Sequence, residues 1–330
     1  MLKTGLCEKL GIELPIWNAG MGGGCSGPDL VAAVSNAGGF GVLGMGAVPA
    51  PLIRAQIQRT RELTQKPFGV NLLLPLLEPG QIETCLEEHV AALILFWGEM
   101  KPHADRAHDA GVPLIASVGS VDEAKAAADA GVDAVLIQGV EAGGHVRGTS
   151  ALSIVLPAVV TAVAPLPVIA AGGIADGRGV AAALVLGAQA VSLGTRFLCS
   201  NESAVLPSYK ERVRKAKAED TVYTMLFDIG WPNAAHRVLR NDAMLDWEAA
   251  GRPASGQRPG EGTIIGHVTM AGQVVDVPRY AMIPPVLGFD GDIEQIALYA
   301  GQSCSLIDDI KPAAEIMLDL VRDAESALHF

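Results

Sequence analysis

The sequence predicts an α/β fold: a closed (β/α)8 barrel with a C-terminal cap segment over its mouth. Three observations lead there. Eight short apolar runs alternate with helical patterns up to about residue 200, none of the runs shows polar alternation, and the repeat then stops. In order, the runs are Pro15–Gly20, Gly39–Leu43, Phe68–Leu72, Ala92–Leu95, Pro113–Ser117, Asp133–Ile137, Pro167–Ala170 and Ala190–Leu193. Runs of this length, apolar throughout, suit parallel strands covered on both faces. Eight similar units leave no atypical edge strand, which favours a closed barrel over an open doubly wound sheet.

Ala-rich segments fill the gaps, among them Asp29–Ala37, Val121–Ala130 and Gly177–Leu186. Acidic residues open them at Val121-Asp-Glu-Ala and Ala175-Asp-Gly-Arg, where a carboxylate meets the free N–H groups of a first helical turn. Gly111, Gly131 and Gly187 stand where each helix should stop, because glycine accepts the left-handed conformation at that point. A barrel takes about 250 residues, so a chain of 330 has room for more. Residues 1–204 are assigned to the barrel, 205–292 to the cap, and 293–330 to C-terminal helices packing on the barrel. Within the cap, 205–219 reads as a charged helix and 251–262 as a Gly/Pro/Arg-rich loop. The last two helices are expected near Ile293–Gln302 and Pro312–Leu328.

Half the residues are hydrophobic and 18% are charged, enough for a large core without external staples. A formal charge of −12 argues against a nucleic-acid surface or an anionic membrane patch. The five cysteines, at 7, 25, 85, 199 and 304, show no CxxC pair and no His-Cys ligand spacing. That pattern belongs to a reducing compartment and gives no reason to expect a metal. With no apolar leader and no run of roughly 20 apolar residues, a cytoplasmic protein is expected.

Chemistry should collect where barrel strands end. The sixth strand is followed by Gln138-Gly-Val-Glu-Ala-Gly-Gly-His145, one imidazole on a loop softened by Gly143 and Gly144. Imidazole exchanges a proton near neutral pH without a large shift, and a missing Cβ lets backbone approach a flat or charged ligand. Gly172 and Gly173 follow the seventh strand, and Gly194-Thr195-Arg196 follows the eighth. That pair of loops is where such barrels bind phosphate through backbone N–H groups. After the first strand, Ala19-Gly20-Met21-Gly22 offers glycines and a soft thioether to a ring. Asn71, Ser117 and Gln138, near the ends of the third, fifth and sixth strands, are polar groups able to hydrogen-bond a heterocycle.

Taken together, Pro15-Ile-Trp-Asn-Ala-Gly-Met, Val34-Ser-Asn-Ala-Gly-Gly-Phe-Gly, Pro67-Phe-Gly-Val-Asn-Leu, Gln138-Gly-Val-Glu-Ala-Gly-Gly-His, Ala171-Gly-Gly-Ile-Ala-Asp-Gly-Arg and Gly187-Ala-Gln-Ala-Val-Ser-Leu-Gly-Thr-Arg-Phe resemble one family. It is the nitronate monooxygenase family, formerly the 2-nitropropane dioxygenases. The resemblance runs in motif order over residues 10–202, and Tyr299-Ala-Gly-Gln-Ser continues it. It implies a TIM barrel holding FMN, with Ala19, Gly20, Met21, Gly22, Asn71, Ser117, Gln138, Gly143 and Gly144 around the ring system. Gly172, Gly173, Ser192, Leu193, Gly194 and Thr195 would hold the phosphate. His145 would be the active-site base, and nitronate and dioxygen would give a carbonyl compound and nitrite.

Two departures stand out. Val146 separates His145 from Arg147-Gly148, and Ser117 occupies a position where some members carry Lys. The resemblance extends to flavin-dependent enoyl-ACP reductases and NADH:quinone reductases, so an NAD(P)H-dependent reductase acting on a quinone or enoyl thioester is the alternative. A phosphate-binding isomerase would want paired acid and base groups, and only His145 and Glu141 are candidates. Trp231, His236, Arg237 and His267 in the cap are expected to serve surface or cap packing, and a homodimer through apolar cap surface remains open.

Overall fold

In the computed structural model, which describes residues 2–270 and 272–329, the eight apolar runs are eight parallel strands. They are β1 (Ile16–Asn18), β2 (Gly41–Gly44), β3 (Phe68–Leu73), β4 (Ala92–Phe96), β5 (Leu114–Val118), β6 (Ala134–Gln138), β7 (Val168–Ala171) and β8 (Ala190–Leu193). Each neighbours the next in sequence order, and β1 pairs with β8 through Ile16–Val191, Trp17–Ser192 and Asn18–Leu193. A parallel bridge between Trp17 and Phe40 spans the remaining gap between β1 and β2 and completes the circle.

Side chains alternate in and out along each strand. Trp17, Val42, Ile94, Ile115, Leu136, Ile169 and Ala190 belong to one buried cluster, the filling of the barrel. The short helix Gly5–Leu10, which the sequence reading missed, adds Leu6, Cys7 and Leu10 to that cluster. The intervening strand residues, such as Ile16, Leu43, Val70, Leu93 and Leu114, pack outward against the surrounding helices.

Helix boundaries follow the predicted signals. Ser120 and Asp176 cap Val121–Asp129 and Gly177–Val185 by accepting the N–H groups of Glu123 and Gly179. Gly111, Gly131 and Gly187 stand just past their helices at φ +68°, +86° and +100°, conformations an L side chain resists.

Beyond residue 200 the structure departs from the sequence reading. The charged stretch forms a helix only over Pro207–Arg214, with a 3-10 turn at Ala218–Asp220. Five strands unforeseen in the sequence follow: β9 (Thr221–Thr224), β10 (His236–Leu239), β11 (Ile264–Met270), β12 (Gln273–Pro278) and β13 (Phe289–Gly291). The helix expected near Ile293–Gln302 is absent. Two 3-10 turns, Ile293–Gln295 and Gln302–Leu306, flank an extended stretch instead. That stretch lies beside β10, where Leu298 O accepts the Leu239 N–H at 2.8 Å and Ile296 O accepts the Asn241 side-chain amide at 2.8 Å. Pairing with a strand from elsewhere in the chain outweighs the local helical preference of an apolar run. The final helix forms as expected over Ala313–Leu328, and its Ile316, Met317 and Leu320 join the outer core.

A hollow of about 390 Å³ lined by Lys9, Asp133, Pro165 and Pro167 opens where β6 and β7 begin. It lies at the end of the barrel that carries stability rather than chemistry.

Candidate functional site

The alternation that fills the barrel also builds the floor of its mouth. One step above Trp17, Val42, Ile115, Leu136, Ile169 and Ala190 come Ala19, Gly44, Ser117, Gln138, Ala171 and Ser192. Asn71 stands above Gly69 in β3, where a Cβ on Gly69 would meet Phe40 and Ile94 of the filling. The upper layer is thus small or polar where the layer below is apolar, except in β4, where Phe96 stands above Ile94. Of the predicted residues, Ala19, Asn71, Ser117, Gln138 and Ser192 occupy this one layer.

The predicted glycines divide by what fills the place of their missing side chains. A Cβ on Gly20 would lie 2.5 Å from Asn71 Cβ, and one on Gly143 would lie 2.4 Å from Gly301 N. Both are explained by the chain's own packing. Gly22 and Gly144 face open space. Gly172 and Gly173 turn back from β7 at φ +100° and +72°, and Gly194 leads into the short helix Thr195–Leu198. The Thr195 hydroxyl accepts the Gly301 N–H at 3.0 Å, which ties the strand-8 loop to the C-terminal segment. Leu193 sends its side chain into the outer core, while its carbonyl accepts the Ala19 N–H at 3.0 Å. Met21 is held by Ser26, whose hydroxyl accepts its N–H at 2.8 Å.

His145 is held from both sides. Gly144–His145 pairs antiparallel with β10, with His145 opposite His236, and Val146 N–H donates to Ala235 O at 2.8 Å. From the barrel side, the Gln138 amide donates to His145 O at 3.0 Å. The inserted Val146 is fully buried, and its carbonyl accepts the Tyr223 hydroxyl at 3.1 Å. Arg147 pairs with Glu123 and covers the Trp97 ring at 5.5 Å. Arg237 braces the same loop, donating to Val140 O at 2.9 and 3.1 Å. Glu141 is a cap rather than an acid or base, since both its carboxylate oxygens accept the Leu152 N–H at 3.0 Å.

Around the imidazole the structure gathers four rings that the sequence reading left out. Trp231 lies 4.3 Å from His145 between centroids, His236 5.4 Å, Tyr299 5.6 Å and Trp97 6.3 Å. Trp231 and His236 thus line the site instead of serving only cap packing, whereas His267 is an exposed partner of Asp276. Trp97 directly follows β4, so the rule that selected Gln138 and Gly172 would have found it.

Both imidazoles are neutral. In His236, Nδ1 faces Ala234 O at 2.9 Å and so donates, leaving Nε2 to accept the Phe227 N–H at 3.2 Å. Burial lowers its pKa to about 4. His145 is lowered to about 3, chiefly by burial and then by the neighbouring His236. Its Nε2 is buried with no hydrogen-bond partner among the described residues, and so is Gln138 Oε1. Leaving a buried polar atom unpaired costs about 1–3 kcal/mol, so two at one mouth mark a place where a ligand completes the bonding.

Neutrality has a consequence for stability. Above 6.5, the ordinary histidine value, folded and unfolded chains bind the same protons at these sites. Below it the unfolded chain gains protons that the folded chain refuses until about 4 and 3. Stability should therefore fall on acidification through that window, by up to about 1.4 kcal/mol per pH unit for each histidine. Urea unfolding at stepped pH is expected to show a shallower slope for His145→Asn than for the unsubstituted protein, and equal slopes would contradict the assignment.

Similarity to known proteins fits this geometry. The nitronate monooxygenase family profile matches residues 3–96 and 78–323. A (3aS,4S,5R,7aS)-5-hydroxy-7a-methyl-1-oxo-octahydro-1H-indene-4-carboxyl-CoA dehydrogenase from Mycobacterium tuberculosis is 35% identical, over 98% of this chain and 96% of the relative. A probable nitronate monooxygenase from Staphylococcus aureus is 37% identical, over 68% of this chain and 76% of the relative. The structure of FabK from Thermotoga maritima superposes with a TM-score of 0.83 at 34% identity, covering 99% of this chain and 98% of that one. Fold, site and similarity agree: this chain is an oxidoreductase and belongs to the nitronate monooxygenase family.

Proposed function

We propose that this chain is an FMN-dependent enzyme that uses dioxygen to convert alkyl nitronates to a carbonyl compound and nitrite. The observation that carries the reading is the neutral, unpartnered Nε2 of His145 beside the small, polar floor of the barrel mouth.

The residues present fit a flavin. Ala19, Gly22, Asn71, Ser117, Gln138 and Gly144 would lie against its ring system and ribityl chain, and Gln138 Oε1 has an acceptor to offer. Gly172, Gly173 and the Ser192–Thr195 segment would hold the phosphate. When bound, the flavin supplies the electron transfer from nitronate and the reaction with dioxygen.

His145 supplies the proton site. Among the described residues no carboxylate pairs with its ring to stabilise a cation, so it stays neutral. An anionic nitronate brings the missing countercharge, which favours the protonated ring and lets Nε2–H donate to the substrate. A neutral nitroalkane must instead give its α-proton to a ring held near 3, a weak base. Nitronates are therefore the expected substrates, with nitroalkanes turned over more slowly.

A second reading has its own support. A dehydrogenase of a CoA thioester and FabK are each similar over nearly the whole chain, as the nitronate monooxygenase profile also is. An NAD(P)H-dependent enzyme acting on an enoyl thioester or quinone would use the same floor.

Anaerobic reduction followed at the flavin absorbance maximum separates the two. Bleaching by ethyl nitronate, and not by NADH or NADPH, is the expected result. Bleaching by the nicotinamides alone moves the assignment to the reductase.

A further inference from the structure

Trp97 sits where a barrel enzyme selects its substrate, and its backbone is unusual. It follows β4 directly and takes φ +67°, a left-handed conformation rare for a bulky side chain and typically kept only where the surroundings impose it. Its ring lies 4.8 Å from Trp231, 5.3 Å from Phe96 and edge-on to His145 at 6.3 Å. Leu73, Leu76 and Met282 complete this apolar cluster.

Trp231, in contact with Trp97, is held in place. Arg258, buried in the cap, donates to Leu226 O at 2.6 Å and to the Asp228 carboxylate at 2.7 Å. Asp228 O in turn accepts the Trp231 N–H at 3.0 Å, so a buried ion pair holds the turn that carries Trp231. The nearest guanidiniums are engaged elsewhere: Arg147 by Glu123, and Arg237 by Val140 O. Both of these guanidiniums are therefore already engaged within the protein.

We infer that Trp97 is a specificity-determining residue, forming with Trp231 an apolar wall beside His145 that favours a short uncharged chain over bulky or anionic ones. This rests on the proposed reaction for its substrate class, but the wall can be probed without turnover.

Calorimetric binding of 1-nitropropane, nitrocyclohexane and 3-nitropropionate is the test, on the holoenzyme without reaction. The unsubstituted protein should prefer 1-nitropropane over both others by about tenfold or more, the scale on which apolar pockets discriminate size. Trp97→Gly removes the ring and frees the left-handed backbone, and it should bring nitrocyclohexane to within a few-fold of 1-nitropropane. Trp97→Asn, which also tolerates this conformation, should do the same if the glycine variant fails to fold. Unchanged affinity ratios in the folded variants would overturn the inference, as would preference of the unsubstituted protein for 3-nitropropionate. A shifted ratio together with no turnover of any nitronate would uphold the wall and reject the nitronate reading alone.

Discussion

His145→Asn is expected to stay folded and keep its flavin while turnover of neutral nitroalkanes falls by about 10²–10⁴, the usual contribution of one positioned acid–base group. Asparagine can preserve a polar contact at this place but cannot carry a proton. The backbone that positions residue 145 does not depend on the ring: it comes from Gln138 and from the pairing with β10. The loss should therefore appear in turnover rather than in the melting temperature. A second signature follows from the pKa of about 3. For a neutral nitroalkane, kcat/KM of the unsubstituted enzyme should show no ascending limb at the ordinary histidine value, because the ring is already unprotonated well below it. A limb there that vanishes in His145→Asn would show a solvated histidine and refute the buried, neutral ring. Undiminished turnover in the variant would remove His145 from the chemistry.

The barrel was legible because its strands obey a local rule. A run of four to six apolar residues reads the same way at each of eight places, since both faces of every strand are covered. The cap obeys no such rule. Thr221–Thr224 and His236–Leu239 are strands because they pair with each other, with Gly144–His145 and with the segment around Tyr299. Ile296–Ala300 shows the ambiguity directly, as a short apolar run is compatible with a buried helix and with an extended chain. At the site, the strand-end rule located the floor and the histidine, and it would have located Trp97. It could not reach Trp231, His236 or Tyr299, which arrive from far along the chain. Nor could it tell a glycine vacated for a ligand from one vacated for the chain itself, as Gly20 and Gly143 are.

The proposed phosphate end of the site gives the other large effect. Gly173→Asp is expected to weaken FMN binding by roughly 10²–10³-fold, because like charges brought together at a binding surface cost several kcal/mol. Position 173 is at φ +72°, where aspartate is less strained than most residues, so backbone strain alone should not unfold the loop. The charge has nowhere to go. A Cβ at 173 would lie 3.4 Å from Glu141 Cβ, and the Glu141 carboxylate is fixed by the Leu152 N–H on both oxygens. The new carboxylate would thus be turned from Glu141 toward the proposed phosphate position. Gly173→Ala separates the contributions, since it adds a Cβ and the strain but no charge, and it should lose far less affinity than the aspartate variant. Titrating apoprotein with FMN and following flavin fluorescence measures both. Equal losses in the two variants would make the effect steric. Full affinity in Gly173→Asp would mean that the phosphate does not lie at the ends of β7 and β8, and the flavin would have to be placed the other way round across the mouth.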